Sequence, residues 1–517
     1  MEEKEFNHYE NKVQYKRKTK SDFYLSFKGF PLQSEQSNAE NYAAQEPPLR
    51  QNRPTTHLAA KFSFQSGLSR PQIAILNSTL TGLGAATLLN PGLVTWSVSH
   101  LLCTLFFCFV FWRALLILAG WSKRRSTEPV WAQQDRQLPI YSLLIPLYRE
   151  AVIIPQLAGA LRAMNWPADR LDIQLLIEAD DLETLNAAQN ETFPQNTRLS
   201  VVPPSGPRTK PNALKHGLDQ AMGTFLTIYD AEDLPHPDQL RAAYAAFQAL
   251  PETTACLQSP LVADNADQNW LSAHWALEYD VQFGLLMPGL TRLGMPVLLG
   301  GTSNHFRTGA LHMLGGWDAW NVTEDADLGL RIARAGLGCA MLDLPTYEDA
   351  PTELDIWTAQ RSRWVKGFIQ TWFVLMRSPS EALQDLGVLK FIAANLSLGT
   401  AILAPLLFAP CMLIVLLALA SNTLAIGAVG TTLLISAFAI GLLGDLAAPG
   451  RWHVRRFIAM LTRTLYWPLH FMAAVRAIWE LAKDPFFWAK TPHKPRRKES
   501  ASPCSTGLSA SASPLAS

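Results

Sequence analysis

Two stretches of this chain carry no charged side chain, residues 71–112 and 391–444. A helix that crosses a membrane needs about 20 apolar residues, so each stretch is long enough for two crossings. Each also contains a turn: Asn90-Pro91-Gly92 interrupts the first and Ser421-Asn422-Thr423 the second. The competing reading is a buried hairpin inside a large soluble core, where charge-free runs of this length are rare. The expected units are therefore two transmembrane helical hairpins, 71–121 and 391–448. Lys123, Arg124 and Arg125 follow the first, and Arg451, Arg455 and Arg456 follow the second. Lys and Arg gather on the cytoplasmic side of spans, which puts residues 130–390 in the cytosol.

The apolar, aromatic segment 457–482 contains Arg463, Arg476 and Glu480. It reads as an interfacial or re-entrant helix with snorkelling arginines, the alternative being a fifth span. Residues 1–70 form a polar arm with Lys12, Lys16, Arg17, Lys18 and Lys20 and no signal-peptide core. Residues 483–517 are basic, then Ser/Ala-rich; both ends read as disordered. A net charge of +1 argues against a nucleic-acid partner. The six cysteines, Cys103, Cys108, Cys256, Cys339, Cys411 and Cys504, lack the spacing of a zinc site or a disulfide framework.

Between the hairpins, strand-like runs alternate with helical spacing. Residues 141–147 (YSLLIPL), 173–177, 199–202 and 225–229 read as buried strands; 150–164, 210–222 and 239–249 read as helices. Such alternation predicts an α/β fold with a mostly parallel sheet. Ligands of such sheets bind beyond the carboxyl ends of the strands. Acidic clusters stand at two of those ends: Asp180 with Asp181, and Asp230 with Glu232 and Asp233. Carboxylates there suit a ribose or a cation such as Mg²⁺ or Mn²⁺; they equally suit the capping of the next helix.

Thr323-Glu324-Asp325, with Asp327, precedes a helical run at 328–335. It reads as a Thr-capped N-terminus with acids in the first turn, which would also fix carboxylate geometry. In Gln360-Arg361-Ser362-Arg363-Trp364, helical spacing places Gln360, Arg363 and Trp364 on one face. An amide, a cation and an indole can clasp a phosphate and stack on a sugar ring. With Lys366, Phe368 and Trp372 they also suit a polar interfacial helix.

Taken in order, these four features resemble the processive inverting glycosyltransferases of family 2, bacterial cellulose synthases and β-glucan synthases in particular. The likeness covers roughly residues 138–370 and the flanking membrane helices. It implies a GT-A (Rossmann-like) cytosolic domain and a UDP-sugar donor. By the same resemblance, Asp181, with Asp180 beside it, and Lys210 would bind the uridine end. Asp230 and Glu232 would stand at the metal beside the diphosphate, with Asp233 adjacent, and Asp325 would be the general base. Thr323 and Glu324 belong with the substrate-binding residues, Gln360 and Arg363 would contact the diphosphate, and Trp364 would stack on the acceptor. The loop at 300–304 would line the acceptor path. Glu232 departs from the family, which commonly has Asp there. No second soluble domain is read after the last membrane segment, where cyclic di-GMP-regulated synthases carry a β-barrel. Arg451 and Arg455 are read as topology determinants.

The expected reaction is transfer of a hexose, glucose from UDP-glucose first, to a growing β-glycan by metal-assisted in-line displacement. The expected setting is a bacterial inner membrane with the catalytic domain in the cytoplasm. Partners would be the glycan acceptor, the lipid bilayer, and a second copy or an export protein. Alternatives are transfer of another sugar, such as N-acetylglucosamine, to a lipid or polysaccharide, and a non-catalytic scaffold in an export complex. A transporter would need ionisable groups within the spans, and the charge-free stretches offer none.

Overall fold

The computed structural model describes residues 57–121, 138–421 and 428–488. Lys123, Arg124 and Arg125, most of the turn at 421–423, residues 1–56 and the basic tail from 489 lie outside them.

Among the described residues, ten strands form two sheets. In chain order they are β1 (Tyr141–Leu147), β2 (Leu171–Glu178), β3 (Thr197–Val202), β4 (Phe225–Ile228), β5 (Leu234–Pro235), β6 (Thr254–Gln258), β7 (Leu261–Ala263), β8 (Asn304–Arg307), β9 (Gly338–Met341) and β10 (Thr346–Glu348). The main sheet has the order β3-β2-β1-β4-β8-β6-β9. Pairing is parallel from β3 to β4, antiparallel at β4–β8 and β8–β6, and parallel again at β6–β9. The sheet is thus mostly parallel, as the alternation implies. A β-strand sends alternate side chains to opposite faces. Leu143 and Ile145 of β1 accordingly join the apolar cluster on one face, while Leu144 joins the cluster on the other. Being covered on both faces is why these strands read as near-continuous apolar runs.

The helices used below are α1 (Arg70–Leu89), α2 (Pro91–Trp121), α3 (Ile154–Arg162), α4 (Leu182–Gln189), α5 (Lys210–Gln220), α6 (Gln239–Ala249), α7 (Trp270–Val281), α8 (Met287–Arg292), α9 (Thr308–Met313), α10 (Glu324–Arg334), α11 (Leu354–Leu375), α12 (Pro379–Ser421), α13 (Ala428–Ala447), α14 (Val454–Leu461) and α15 (Arg463–Lys483). Among the described residues, three helices are long and apolar enough to cross a membrane: α1, α2 and the 379–413 part of α12. Asn90 separates α1 from α2, at the expected break. Gly387, with φ 71°, kinks α12 before its apolar part. In α13 the apolar stretch Thr432–Ala447 is shorter.

The helices run beyond the charge-free stretches. Arg113 lies within α2 and Asp445 within α13, so the expectation of spans without ionisable groups does not hold. Nor does Arg463 snorkel: it is buried and ion-paired with Asp445 across to α13. Arg476 pairs with Glu480 one turn along α15, at 2.7 Å. A break at Thr462 splits the 457–482 segment between α14 and α15. Leu465, Met472, Val475 and Trp479 of α15 are exposed. Arg455 donates to the carbonyl of Asp267, and Arg456 pairs with Asp280. These two arginines fasten α14 to the sheet domain.

The C-terminal end of α2 is fastened just as closely. A Cβ on Gly120 would overlap the backbone of Leu285, and one on Gly289 of α8 would overlap the backbone of Leu116. Only glycine permits such an approach. Trp112 and Leu116 of α2 consequently join the same apolar cluster as Met287 and Leu290.

Candidate active site

A cavity of about 670 Å³ opens beyond the carboxyl ends of β1, β2 and β4. Asp230, Glu232, Lys210, Thr323, Glu324, Asp325, Gln360, Arg363 and Trp364 all line it. Nine of the twelve sequence candidates thus line one cavity.

The other three hold the scaffold. Asp181 caps α4: it accepts from the backbone N–H of Thr184 at 3.2 Å and from that of Arg149. Asp180 pairs with Arg208 at 2.8 Å, and Arg208 lines the cavity. Asp233 is buried and accepts from the N–H of Asp230 at 2.8 Å and from the Thr302 hydroxyl. It thereby fixes the turn at 230–233 and aims Asp230 outward.

Lys210 opens α5 and donates to Asp230 and, at 2.7 Å, to the carbonyl of Gly301. Burial works against its charge, but Asp230 and Glu324 more than offset this and raise its pKa. The loop at 300–304 is held hard. Gln258 accepts from Gly300 N–H at 2.8 Å and donates to the carbonyl of Thr302 at 2.9 Å. Ser303 sits at φ 57°, a costly conformation for a side-chain-bearing residue, kept here by surrounding hydrogen bonds.

Asp325 stands in the first turn of α10, its carboxylate accepting from the N–H of Ala326 at 2.8 Å. A Cβ on Gly301 would lie 3.5 Å from Asp325 and 3.9 Å from the Lys210 ammonium, so the bare glycine leaves room at this carboxylate. Burial raises the Asp325 pKa, against the pull of the Ala326 N–H, Lys210 and Arg363. Burial and Asp325 push Glu324 up to about 8. Thr323 occupies the N-cap position, yet its hydroxyl makes no capping bond. It is directed at Asn321, at 3.4 Å, and the side chain packs beneath Gly367 of α11. The expected Thr cap is thus a packing contact between α10 and α11.

On α11, Gln360 accepts from the Trp275 indole at 3.0 Å, and Arg363 lies 4.5 Å from the Trp488 ring. The Arg363 Nε is buried without a hydrogen-bond partner. Lining residues that escaped the sequence reading include Arg361, Glu278, Glu178 and Glu348. Arg361 covers Trp364 at 4.4 Å and pairs with Glu278 at 2.6 Å. Burial raises Glu278, but Arg361 and His470 lower it by more, and its carboxylate stays ionised. Glu178 closes β2, and burial with Asp180 raises it to about 7. Glu348 ends β10 in the small sheet β5-β10-β7, beside the 230–233 turn. Burial, then Asp233, Glu232 and Asp230, push it well up, and its Oε1 is buried without a partner.

Those crowded carboxylates bear on the expected cation. Among the described residues, no three acidic, His or Cys side chains form a ready-made metal cage. The donor set still fits an ion bound partly by substrate: Mg²⁺ commonly takes one or two carboxylates and completes its shell with phosphate and water. Asp230 and Glu232 are on the cavity wall, and the orphaned oxygen and mutual repulsion around Glu348 are what a cation would relieve.

A mostly parallel sheet that delivers paired carboxylates, a lysine and an arginine to one cavity, next to helices able to cross a bilayer, defines a membrane-associated GT-A architecture. Residues 225–478 match the model of glycosyl transferase family group 2, and over that stretch the chain is a family 2 glycosyltransferase. It is similar to a probable glycosyltransferase, YdaM, of Bacillus subtilis, 25% identical over 46% of this chain and 57% of that one. It is also similar to the UDP-forming cellulose synthase catalytic subunit of Pseudomonas fluorescens, 27% identical over 49% of this chain and 34% of that one. The chain thus spans about half or less of the length of these relatives. A solved mannosyltransferase from Pyrobaculum calidifontis, in complex with GDP-Man and Mn²⁺, aligns with a TM-score of 0.46 at 19% identity, covering 73% of this chain and 99% of that one.

Proposed function

We propose that this chain transfers a hexose from a UDP-sugar, glucose first among them, to an acceptor hydroxyl with inversion, giving a β-linkage. The observation that carries the reading is that Asp325, Lys210, Asp230 and Arg363 line one cavity. Asp325 takes the proton of the attacking hydroxyl, a task for which a carboxylate of raised pKa is well matched. The hydroxyl oxygen bonds to the anomeric carbon as the bond to the diphosphate breaks, and the electron pair leaves with the UDP. Arg363 and Lys210 supply fixed positive charge where negative charge grows on the leaving group. A divalent cation, Mg²⁺ or Mn²⁺, held by Asp230 and Glu232 would neutralise part of the same charge. Asp180, Asp181 and Arg208 form the edge for the nucleoside, with Asp181 acting through the loop it holds at Arg149. Gln360 orients the donor, and Trp364 stacks on the acceptor sugar or head group. We read the site as lying on the cytoplasmic face of a bacterial inner membrane, a reading supported by Lys123, Arg124 and Arg125 directly after the first apolar stretch.

Membranes containing the chain or its D325N variant would be incubated with each UDP-sugar, UDP release followed, and the product submitted to linkage analysis. The expected result is release with one UDP-sugar and none above background in D325N. Undiminished release in D325N would remove the assigned base and this reading with it.

A further inference from the structure

The cavity does not stop at the donor site. It continues from Asp325 and Arg363 into the space between α2, α12, α13 and α15. On α2 the lining runs from Leu116 to Phe106, about 15 Å of helix axis at 1.5 Å per residue. The wall of this limb is hydrocarbon: Phe109, Val110, Ala401, Ala404 and Ile440. The hydroxyls of this limb, on Ser397 and Thr400, are occupied within the protein. Ser397 accepts from the Trp112 indole at 3.1 Å, and the Thr400 hydroxyl donates to the carbonyl of Leu396 at 2.7 Å. The aromatic rings deeper in the limb face one another. Phe106 and Phe408 are 6.3 Å apart, and Phe408 and Trp467 are 4.1 Å apart. Charge enters the wall only towards the donor site, at Arg113, Arg463 and His470.

We infer that the acceptor is a membrane lipid, whose tail fills the limb between α2, α12 and α13 and whose hydroxyl-bearing head reaches Asp325. The inference rests on the transfer reading above and adds the class of acceptor. A glycan threaded through the limb would bury several hydroxyls per sugar against a mostly hydrocarbon wall whose own hydroxyls, on Ser397 and Thr400, are already bonded, which is unfavourable. An acyl or isoprenoid chain gains by leaving water, and its packing needs no partner. The polar head meets Arg113, Arg463 and His470 where the limb opens into the donor site, as an intramembrane arginine lining a cavity suggests. The balance is that of the proposed reaction. The head hydroxyl forms the new bond to the anomeric carbon, its proton passes to Asp325, and UDP leaves.

The test uses the full chain in nanodiscs with the radiolabelled UDP-sugar of highest turnover. The acceptor probes are dioleoylglycerol, a total bacterial lipid extract and a soluble β-linked oligosaccharide. We expect label in the organic phase with a lipid probe. Ala404→Trp, which fills the limb, should lower that product at least 10-fold while UDP affinity and the thermal midpoint stay within error. Ala404→Leu, a milder filling, should fall between, which separates blockage from misfolding. Label extending the soluble oligosaccharide, with none in the organic phase for either lipid probe, overturns the lipid acceptor and leaves the transfer reading standing. Lipid product undiminished in Ala404→Trp overturns the assignment of the limb. No UDP release with any probe would overturn the transfer reading itself.

Discussion

Asp325, the proposed base, and Glu324 are adjacent carboxyls whose surroundings set them apart. Asp325 keeps one side open beside Gly301, whereas Glu324 is buried and pushed up to about 8, so it holds its proton at neutral pH. An isosteric amide should therefore serve at 324 and fail at 325. We expect Glu324→Gln to keep turnover within a few-fold at pH 7, and Asp325→Asn to lose roughly 10²–10⁴-fold, the usual worth of a general base. UDP affinity should be kept in both, and UDP-release assays beside nucleotide titrations check this. The pH dependence follows from sign. A base acts only when deprotonated, and burial raises the Asp325 pKa. The rate should thus fall as pH drops, with a midpoint above the ordinary aspartate range; a midpoint at or below that range would count against Asp325. Glu348 gives a separate expectation. If its charge helps hold a cation at Asp230 and Glu232, Glu348→Gln should raise the Mn²⁺ concentration for half-maximal activity about 10-fold, the scale of a lost supporting carboxylate. An unchanged requirement would make Glu348 a bystander.

At the scale of elements, α10 is pressed most tightly against α11 where Thr323 meets Gly367. A Cβ on Gly367 would collide with the side chain of Thr323, directly before Glu324 and Asp325. Overpacking of this kind costs about 1–3 kcal/mol. Gly367→Ala should lower the thermal midpoint and weaken turnover together, because the proposed base and Arg363 sit on the two helices being forced apart. A melt unchanged from the parent would mean the contact is slack. The elements themselves were legible in the sequence. The strand read at 141–147 has those bounds in the structure, and so does the helix read at 239–249. Their signals are local, an apolar run and a period of 3.6. Of the acids at the strand ends, Asp230 and Glu232 after β4 reach the cavity, whereas Asp180 and Asp181 after β2 do not line it. The rest depended on contacts between distant segments. Glu348 belongs to a three-residue strand that exists only by pairing with β5 and β7, so no local window marks it. The bond from Arg361 to Glu278 joins α11 to α7, and nothing in either helix alone predicts the match. The Thr cap was misjudged for the same reason, since Gly367 lies 44 positions along the chain from Thr323 (367 − 323).

Across the whole molecule, the membrane helices and the sheet domain share their apolar cores. Trp112 and Leu116 of α2 lie in the cluster that includes Met287, Leu290 and Phe306, and Ile117 lies with Val281 and Leu285. Tyr466 of α15 is packed with Trp275 and Trp357, and its hydroxyl donates to Glu278 at 3.0 Å. Fully burying a large apolar side chain contributes about 1.5–3 kcal/mol. The three α2 residues alone therefore amount to roughly 4.5–9 kcal/mol on that scale. Natural domains are stable by only about 5–15 kcal/mol, so removing α2 takes away a contribution as large as the margin. Residues 138–390 expressed alone should consequently lack a cooperative melt and bind an apolar dye such as ANS, although every strand of both sheets is present. The full chain in detergent should melt in one transition and resist the dye. Restoring α1 and α2 in cis should recover most of the midpoint, while restoring only α1, which has no buried residue, should recover none. A cooperatively melting, UDP-binding 138–390 fragment would show that the shared core is dispensable and that the helices serve only to place the site at a membrane.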